Sequence, residues 1–145
     1  MARLKIEIPL SKIAQINISI RISDINFGNH VGNDSFVSII HEARVQWLSQ
    51  HNFTELDICG AGLIMGDLSL EFKNESFYGD QLTINLSVSD ISACGFNLFY
   101  QLFTHRKGIT VLLANARTGM VCYNYQLKKV TAIPINLMKI LQVEI

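Results

Sequence analysis

The stretch Ser23–Leu48, SDINFGNHVGNDSFVSIIHEARVQWL, decides how the rest of the chain is read. Its first half, Asp24 to Asn33, is polar and bears glycines. Its second half sets Phe36, Ile40, Ala43 and Trp47 at helical spacing, with Val37 and Leu48 widening the stripe. Residues three and four apart share one face of a helix, so the pattern predicts a helix with one buried side. Asn33 or Asp34 is the expected N-cap, because a short side-chain oxygen accepts hydrogen bonds from the unpaired amides of a first turn. A buried helix whose amide end meets a polar loop is electron-poor there. It suits a phosphate, a carboxylate, or a carbonyl oxygen that gains charge during a reaction.

Outward from this stretch the periodicity changes from 3.6 to 2. Upstream, Ile16, Ile18 and Ile20 alternate with Asn17, Ser19 and Arg21, a strand with one buried face. Leu4 to Leu10 alternates weakly around Pro9 and reads as a leader or an edge strand. Downstream, the helix fades near Gln50 to Asn52, and Phe53 to Gly62 is a connection. Leu63 to Phe72 is a second strand, with Leu68, Leu70 and Phe72 inward and Asp67, Ser69 and Glu71 on the other parity. Leu82, Ile84, Leu86 and Val88 alternate cleanly with Thr83, Asn85, Ser87 and Ser89. Phe96 to Phe103 is apolar on both parities, as a strand covered on both faces would be. His105 to Gly108 is a hairpin turn, Ile109 to Leu127 a long fifth strand with Gly119 marking a bulge, and Pro134 precedes a short helix through Leu137, Ile140 and Leu141. Strands joined by short turns pair antiparallel, and a sheet with one apolar face needs a cover. The one long helix supplies it. The expected class is α+β: a curled antiparallel sheet of about five strands wrapped around a central helix, residues 1–145 forming one domain.

Composition narrows the function. The chain is 49% hydrophobic and 17% charged over 145 residues, which places some apolar surface against another subunit. Twelve basic and twelve acidic residues cancel, so no global field attracts nucleic acid or an anionic membrane. Cys59, Cys94 and Cys122 are odd in number and widely spaced, which fits reduced thiols and neither a disulfide framework nor a zinc site. The first residues lack a signal peptide's apolar core, and no apolar run approaches the ~18 residues that span a bilayer. A cytoplasmic protein is expected, in which sequons such as Asn85 to Ser87 are coincidental. No G-x-S-x-G elbow, Walker loop or metal-ligand spacing is present, so no metal or cofactor is implied.

The order Asp24, Asn26, Gly28, His30, Val31, Asn33, followed by His41-Glu42-Ala43-Arg44 on the helix, resembles the hot-dog-fold thioesterases, in particular the 4-hydroxybenzoyl-CoA thioesterase-like group. The usual pattern there reads roughly Asp-x-Asp-x-x-Gly-His-Val-Asn-Asn. The likeness continues through Gly62 to Phe72, Phe77-Tyr78-Gly79-Asp80 and Ala116 to Tyr125. Asn26 stands where well-studied members carry the carboxylate beside the thioester; the Gly-His and Asn-Asn pairs read Asn29-His30 and Gly32-Asn33. The resemblance implies a hot-dog fold and hydrolysis of an acyl thioester carried by CoA or acyl carrier protein. It also implies a homodimer, or a dimer of such dimers, whose second strand lies at the seam near the partner's helix start.

The candidate residues cluster around that helix start, each with a plainer role beside the chemical one. Asn26 can hold a carbonyl or a water but cannot take a proton, and asparagine also fixes turns. His30 could be an acid, a base or an acyl-group contact, or a histidine bonded to a loop carbonyl. Asp34 can act as a carboxylate or simply cap the helix. Amides at Asn33 and Asp34 would polarise a thioester carbonyl. Asp67, in a dimer of the implied kind, could supply across the seam the carboxylate that Asn26 lacks; otherwise it is a solvent-facing strand residue. Glu42, one turn from Ser38 and Gln46, reads as structural. Arg106 and Lys107, with Lys128 and Lys129, are cations available to a coenzyme A phosphate tail, or solvated turn residues. Three functions compete: an acyl-CoA thioesterase; a non-catalytic acyl-thioester-binding or assembly protein on the same fold; and, last, a hydroxyacyl dehydratase, which needs a catalytic His with a carboxylate on the helix, whereas His30 precedes the helix in a different motif.

Overall fold

The helix of the quoted stretch forms as its spacing requires. In the computed structural model, which describes residues 3–142, it runs over Asn33–Gln50 (α1) and buries Phe36, Ile39, Ile40, Ala43, Arg44, Trp47 and Leu48. Each large apolar side chain taken from water here contributes roughly 1.5–3 kcal/mol. Ile39 completes the stripe, whereas Val37 is only half-buried. Neither Asn33 nor Asp34 is the cap. The N-cap is Gly32, extended at φ −70° and ψ 156°, and no side chain caps the helix. The helix begins one residue earlier than a side-chain cap at Asn33 would allow. Its other end closes through Asn52, left-handed at φ 61°, with Asn52 N bonded to Ser49 O and Phe53 N to Leu48 O. That pair of returning bonds satisfies the last carbonyls and stops the helix where the sequence predicts.

The strands are β1 (Lys12–Ser19), β2 (Gly62–Phe72), β3 (Gln81–Ser89), β4 (Gly95–Arg106), β5 (Ile109–Asn124) and β6 (Lys129–Val130). They form one antiparallel sheet in the order β1-β3-β4-β5-β2, with β6 beside β5. The sheet's inner face and α1 share one core, to which Ile16, Leu82, Ile84, Leu86, Leu98, Tyr100, Leu102 and Leu137 also belong. The architecture is the expected hot-dog fold. A short helix, α2 (Ile135–Leu141), follows Pro134 and buries Leu137 and Leu141. Among the described residues no helix is long and apolar enough to cross a membrane.

Several local expectations change. Leu4 to Leu10 forms no strand; Ile6 is buried, and its amide bonds Glu71 Oε1 at 3.4 Å on the outward parity of β2. β5 ends at Asn124, because residues 125–128 turn back to give β6, the strand beyond the expected five. The irregularity opposite Gly119 belongs to β2: the register shifts between Met65 and Asp67, leaving Gly66 as the extra residue. The β4–β5 hairpin turns at Lys107 (φ 50°) and Gly108 (φ 77°), both left-handed as a two-residue hairpin demands. Among the described residues both sheet edges, β1 and β2, are unpaired beyond this order.

Candidate active site at the start of the central helix

The polar loop before α1 is built by its own short side chains. Asp24, buried, accepts Arg21 N at 2.8 Å and Arg21 Nη2 at 3.4 Å, and its carbonyl accepts Gly32 N at 3.2 Å. Ile25 and Val31 bridge antiparallel, Asn26 N bonds His30 O at 2.9 Å, and Asn29 N bonds Asn26 O at 3.1 Å. Asn29 takes the left-handed conformation at φ 65° that closes this tip. Asn26 Oδ1 accepts Gly28 N at 2.9 Å, the short-range bond by which asparagine fixes a turn. His30 Nδ1 lies 3.1 Å from Val31 O. A carbonyl can only accept, so in the neutral ring Nδ1 carries the proton and Nε2 offers a lone pair. A Cβ at Gly28 would lie 3.2 Å from that Nε2 and 3.3 Å from Asn26 Oδ1. The glycine thus packs between the two side chains.

Gly32 ends the loop with its amide donated inward and no side chain over the helix end. A Cβ there would come within 2.6 Å of Asp34 Oδ1 and 3.6 Å of Asn26 Cβ. The first α1 bond runs from Phe36 N to Gly32 O, which leaves the amides of Asn33, Asp34 and Ser35 ahead of the helical ladder. Beside them is a cleft of about 210 Å³. Val31, Phe36 and Phe72 give its apolar wall, and His30, Asn33, Lys73, Asn74 and Glu75 its polar one. Phe36 and Phe72 meet edge to face with centroids 5.3 Å apart. Phe72, 46% exposed, is therefore less inward than its strand parity predicts, because it stands at the mouth of the cleft.

The second wall is held from behind. Asn74 Nδ2 bonds Leu112 O at 2.7 Å, Ser76 O accepts Val31 N at 2.8 Å, and buried Ser76 gives its hydroxyl to Asp80 Oδ2 at 2.8 Å. Asp80 Oδ2 also accepts Phe77 N at 2.9 Å and Arg106 Nη2 at 2.6 Å. Arg106 Nη2 reaches Glu75 O at 2.9 Å, and its guanidinium lies over the Phe77 ring at 5.0 Å. Burial alone would push the Asp80 carboxyl up, yet the bonds from Arg106, Phe77 N and Ser76 outweigh it and hold the group below its ordinary range.

Of the residues singled out by sequence, His30 and Asn33 share the cleft, and Asn26 and Asp34 flank Gly32 beside it. Asp67 stands apart on the outward parity of β2, accepting Gly119 N at 2.9 Å and Arg117 Nη2 at 3.1 Å. Arg106 is committed to Asp80, and Lys107 occupies the hairpin tip. Sequence reading passed over Lys73, Asn74 and Glu75, whose only local signal is a polar run between a strand end and the Phe77–Asp80 turn. It also missed a buried network. Arg44 bonds Glu55 Oε2 and the Tyr100 hydroxyl, each at 3.0 Å, and that hydroxyl pairs with Thr118 at 2.8 Å. Burial works against the Arg44 charge, but Tyr100 and Glu55 reverse it and raise the guanidinium's pKa; burial raises that of Tyr100.

Comparison with known proteins meets this geometry from another side. The family model described as thioesterase-like superfamily matches residues 20–141. A 1,4-dihydroxy-2-naphthoyl-CoA hydrolase of Synechocystis sp. is 28% identical over 116 residues, 78% of this chain and 83% of its own length. Its namesake from Crocosphaera subtropica is 28% identical over 127 residues, 83% and 90% of the two chains. The crystal structure of a 1,4-dihydroxy-2-naphthoyl-CoA thioesterase from Synechocystis superposes with a TM-score of 0.78 at 24% identity, covering 88% of this chain and 93% of that one, a likeness of fold.

Proposed function

The chain belongs to the thioesterase-like superfamily, and on that premise we propose that it hydrolyses the thioester bond of an acyl-CoA at the start of α1. The observation that carries this reading is the helix end itself: it has no side-chain cap, and it opens on a cleft with an aromatic wall. An N-terminal turn left uncapped retains donors aimed outward. A thioester carbonyl seated against the amides of Asn33 and Asp34 would gain its strongest hydrogen bonds as the oxygen becomes negative, and one such donor is worth on the order of a hundredfold in rate. The Phe36–Phe72 pair suits a flat acyl group, which agrees with the aromatic acyl-CoA named for the curated relatives.

In this reading the cleft lies near a subunit seam. β2 is an open edge, it carries Phe72 at the mouth of the cleft, and an unpaired apolar edge is removed by pairing with a second copy. His30 would present Nε2 to the substrate, and Asn26 would keep the loop in shape. Asp67 would reach a cleft only from across the seam. The second reading, binding without hydrolysis, draws on Asn26, whose amide is spent on Gly28 N and cannot take a proton.

A hydrolysis screen across aromatic and aliphatic acyl-CoA thioesters, read by released thiol and by isothermal titration, separates the two. The thioesterase reading expects turnover of aromatic acyl-CoA with kcat/KM of about 10⁴ M⁻¹s⁻¹ or more. Tight binding without turnover favours the second reading, and neither binding nor turnover defeats both.

A further inference from the structure

We propose that Glu75 is the carboxylate that activates water in this site, in the place left by Asn26; this rests on the thioesterase reading above. The cleft needs a group that can take a proton from water, and an amide at position 26 cannot serve. Among the described residues that line the cleft, Glu75 is the only carboxylate. The rival carboxylates do not line it: Asp34 lies against Gly32 beside the cleft, and Asp67 stands apart, held by Gly119 N and Arg117. Among the described residues Glu75 joins no salt bridge, so its oxygens are open to solvent and substrate.

Its backbone, by contrast, is fixed. Arg106 Nη2 donates to Glu75 O at 2.9 Å, Asn74 on one side bonds Leu112 O, and Ser76 on the other accepts Val31 N and bonds Asp80. An unpaired acid on a clamped main chain is what a general base requires, because a base must reach water while its anchor holds within a fraction of an ångström. The Val31–Ser76 bond couples this segment directly to the loop that starts α1. Glu75 and the first-turn amides are thereby held in one frame.

The step balances without any further reactant. A water in the cleft attacks the carbonyl carbon as Glu75 takes its proton, and the oxyanion rests on the Asn33 and Asp34 amides. The carbon–sulfur bond then breaks, and the departing thiolate receives the proton from Glu75. The products are the carboxylic acid, which ionises in water, and the free thiol. Glu75 ends as it began.

Glu75→Gln keeps shape and hydrogen-bonding length while removing the base. With an acyl-CoA that wild type hydrolyses, we expect kcat to fall by about a hundredfold or more while KM stays within about threefold, the pattern of a group acting in the transition state. Glu75→Ala, should its Tm match wild type, should regain turnover when formate or acetate is added, since the open cleft admits a small carboxylate. Turnover of Glu75→Gln within about fivefold of wild type, or a hundredfold loss in Asp34→Asn or Asp67→Asn instead, overturns Glu75 while leaving the thioesterase reading intact. Wild type that binds acyl-CoA and hydrolyses none overturns both.

Discussion

Asp80→Asn tests whether the back wall of the cleft is held by charge. In the native chain Asp80 Oδ2 accepts Arg106 Nη2 at 2.6 Å, Ser76 Oγ at 2.8 Å and Phe77 N at 2.9 Å, while Oδ1 sits 3.5 Å from Arg106 Nε. An asparagine can keep its oxygen at the crowded position, but it then turns an N–H₂ toward Arg106 Nε, donor against donor. Of the three remaining bonds, those from Ser76 and Phe77 N change from charge-assisted to neutral, and the one from Arg106 keeps the cation's charge but loses the carboxylate's. Bonds to charged groups contribute about 1.5–3 kcal/mol and neutral ones about 0.5–1.5. The Asp80 side chain is 12% exposed but Arg106 is 31% exposed, so solvent screens part of the pair and the sum is discounted. A net loss of about 2 kcal/mol is expected. For a chain of this size that lowers Tm by about 4–8 °C.

The pH dependence gives the sharper reading. Because the folded-state pKa of Asp80 lies below its unfolded value, its contribution is complete above the unfolded pKa of about 3.9 and disappears as pH falls through the lower, folded value. Differential scanning calorimetry of both proteins should show a Tm gap that is constant from about pH 5 to 8 and closes under acid below about pH 4. Equal Tm values at neutral pH would show that the clamp contributes nothing. A gap that persists unchanged at the lowest pH at which both fold would show a steric fault in place of a lost charge.

Three further outcomes follow from single positions. Gly32→Ala has an allowed backbone conformation, so its stability should change by about 1 kcal/mol or less; but its methyl displaces the Asp34 carboxylate that lies 2.6 Å away, and turnover measured by thiol release should drop by about tenfold or more. Arg44→Ala strips the partner from Glu55 and Tyr100 and should cost about 3–5 kcal/mol in urea unfolding; a loss under about 1 kcal/mol would mean the network is idle. With a chromogenic disulfide reagent on native protein, exposed Cys59 should react at once. Cys122, buried and pushed up to about 11 by burial and the neighbouring Cys94, should react only in denaturant, and prompt labelling of it in the native state would contradict the packing.

The sequence made legible whatever depends on neighbours in the chain. Alternation at Leu82 to Val88 and helical spacing from Phe36 to Trp47 set local periods, and both elements appear at nearly those bounds. Lys107-Gly108 turns because of its own backbone preferences. The errors lie where a distant contact decides. Arg44 falls on the buried stripe although charged, and only Tyr100, fifty-six residues on, and Glu55 make that burial affordable. Leu4 to Leu10 has weak strand character, but Glu71 captures Ile6 N and no neighbouring strand claims the segment. The cap was misplaced for the opposite reason: Asn33 and Asp34 have the right side chains, yet Gly32 N already belongs to Asp24 O, and the helix starts from the glycine.

The site follows the same division. The bonds made within the loop from Asp24 to Gly32 span one to eight residues, so its motif can be recognised from a short window. The wall that faces it, residues 73–76, is placed by β2, by the Val31–Ser76 bond and by Arg106 thirty-one residues beyond Glu75. No window around Asn26 contains that wall. A motif that lacks its usual carboxylate therefore says only that the loop does not supply one; the opposite side of the cleft is free to do so, and its chemistry has to be read from the fold. Asn26 fits such a division, since it keeps the turn-forming oxygen on Gly28 N, which either an aspartate or an asparagine can provide, and gives up only the charge. The substitution thus removes a proton acceptor from the loop without disturbing the loop's shape. An acid across the cleft, clamped at its backbone and open at its side chain, is the arrangement under which that loss is tolerated.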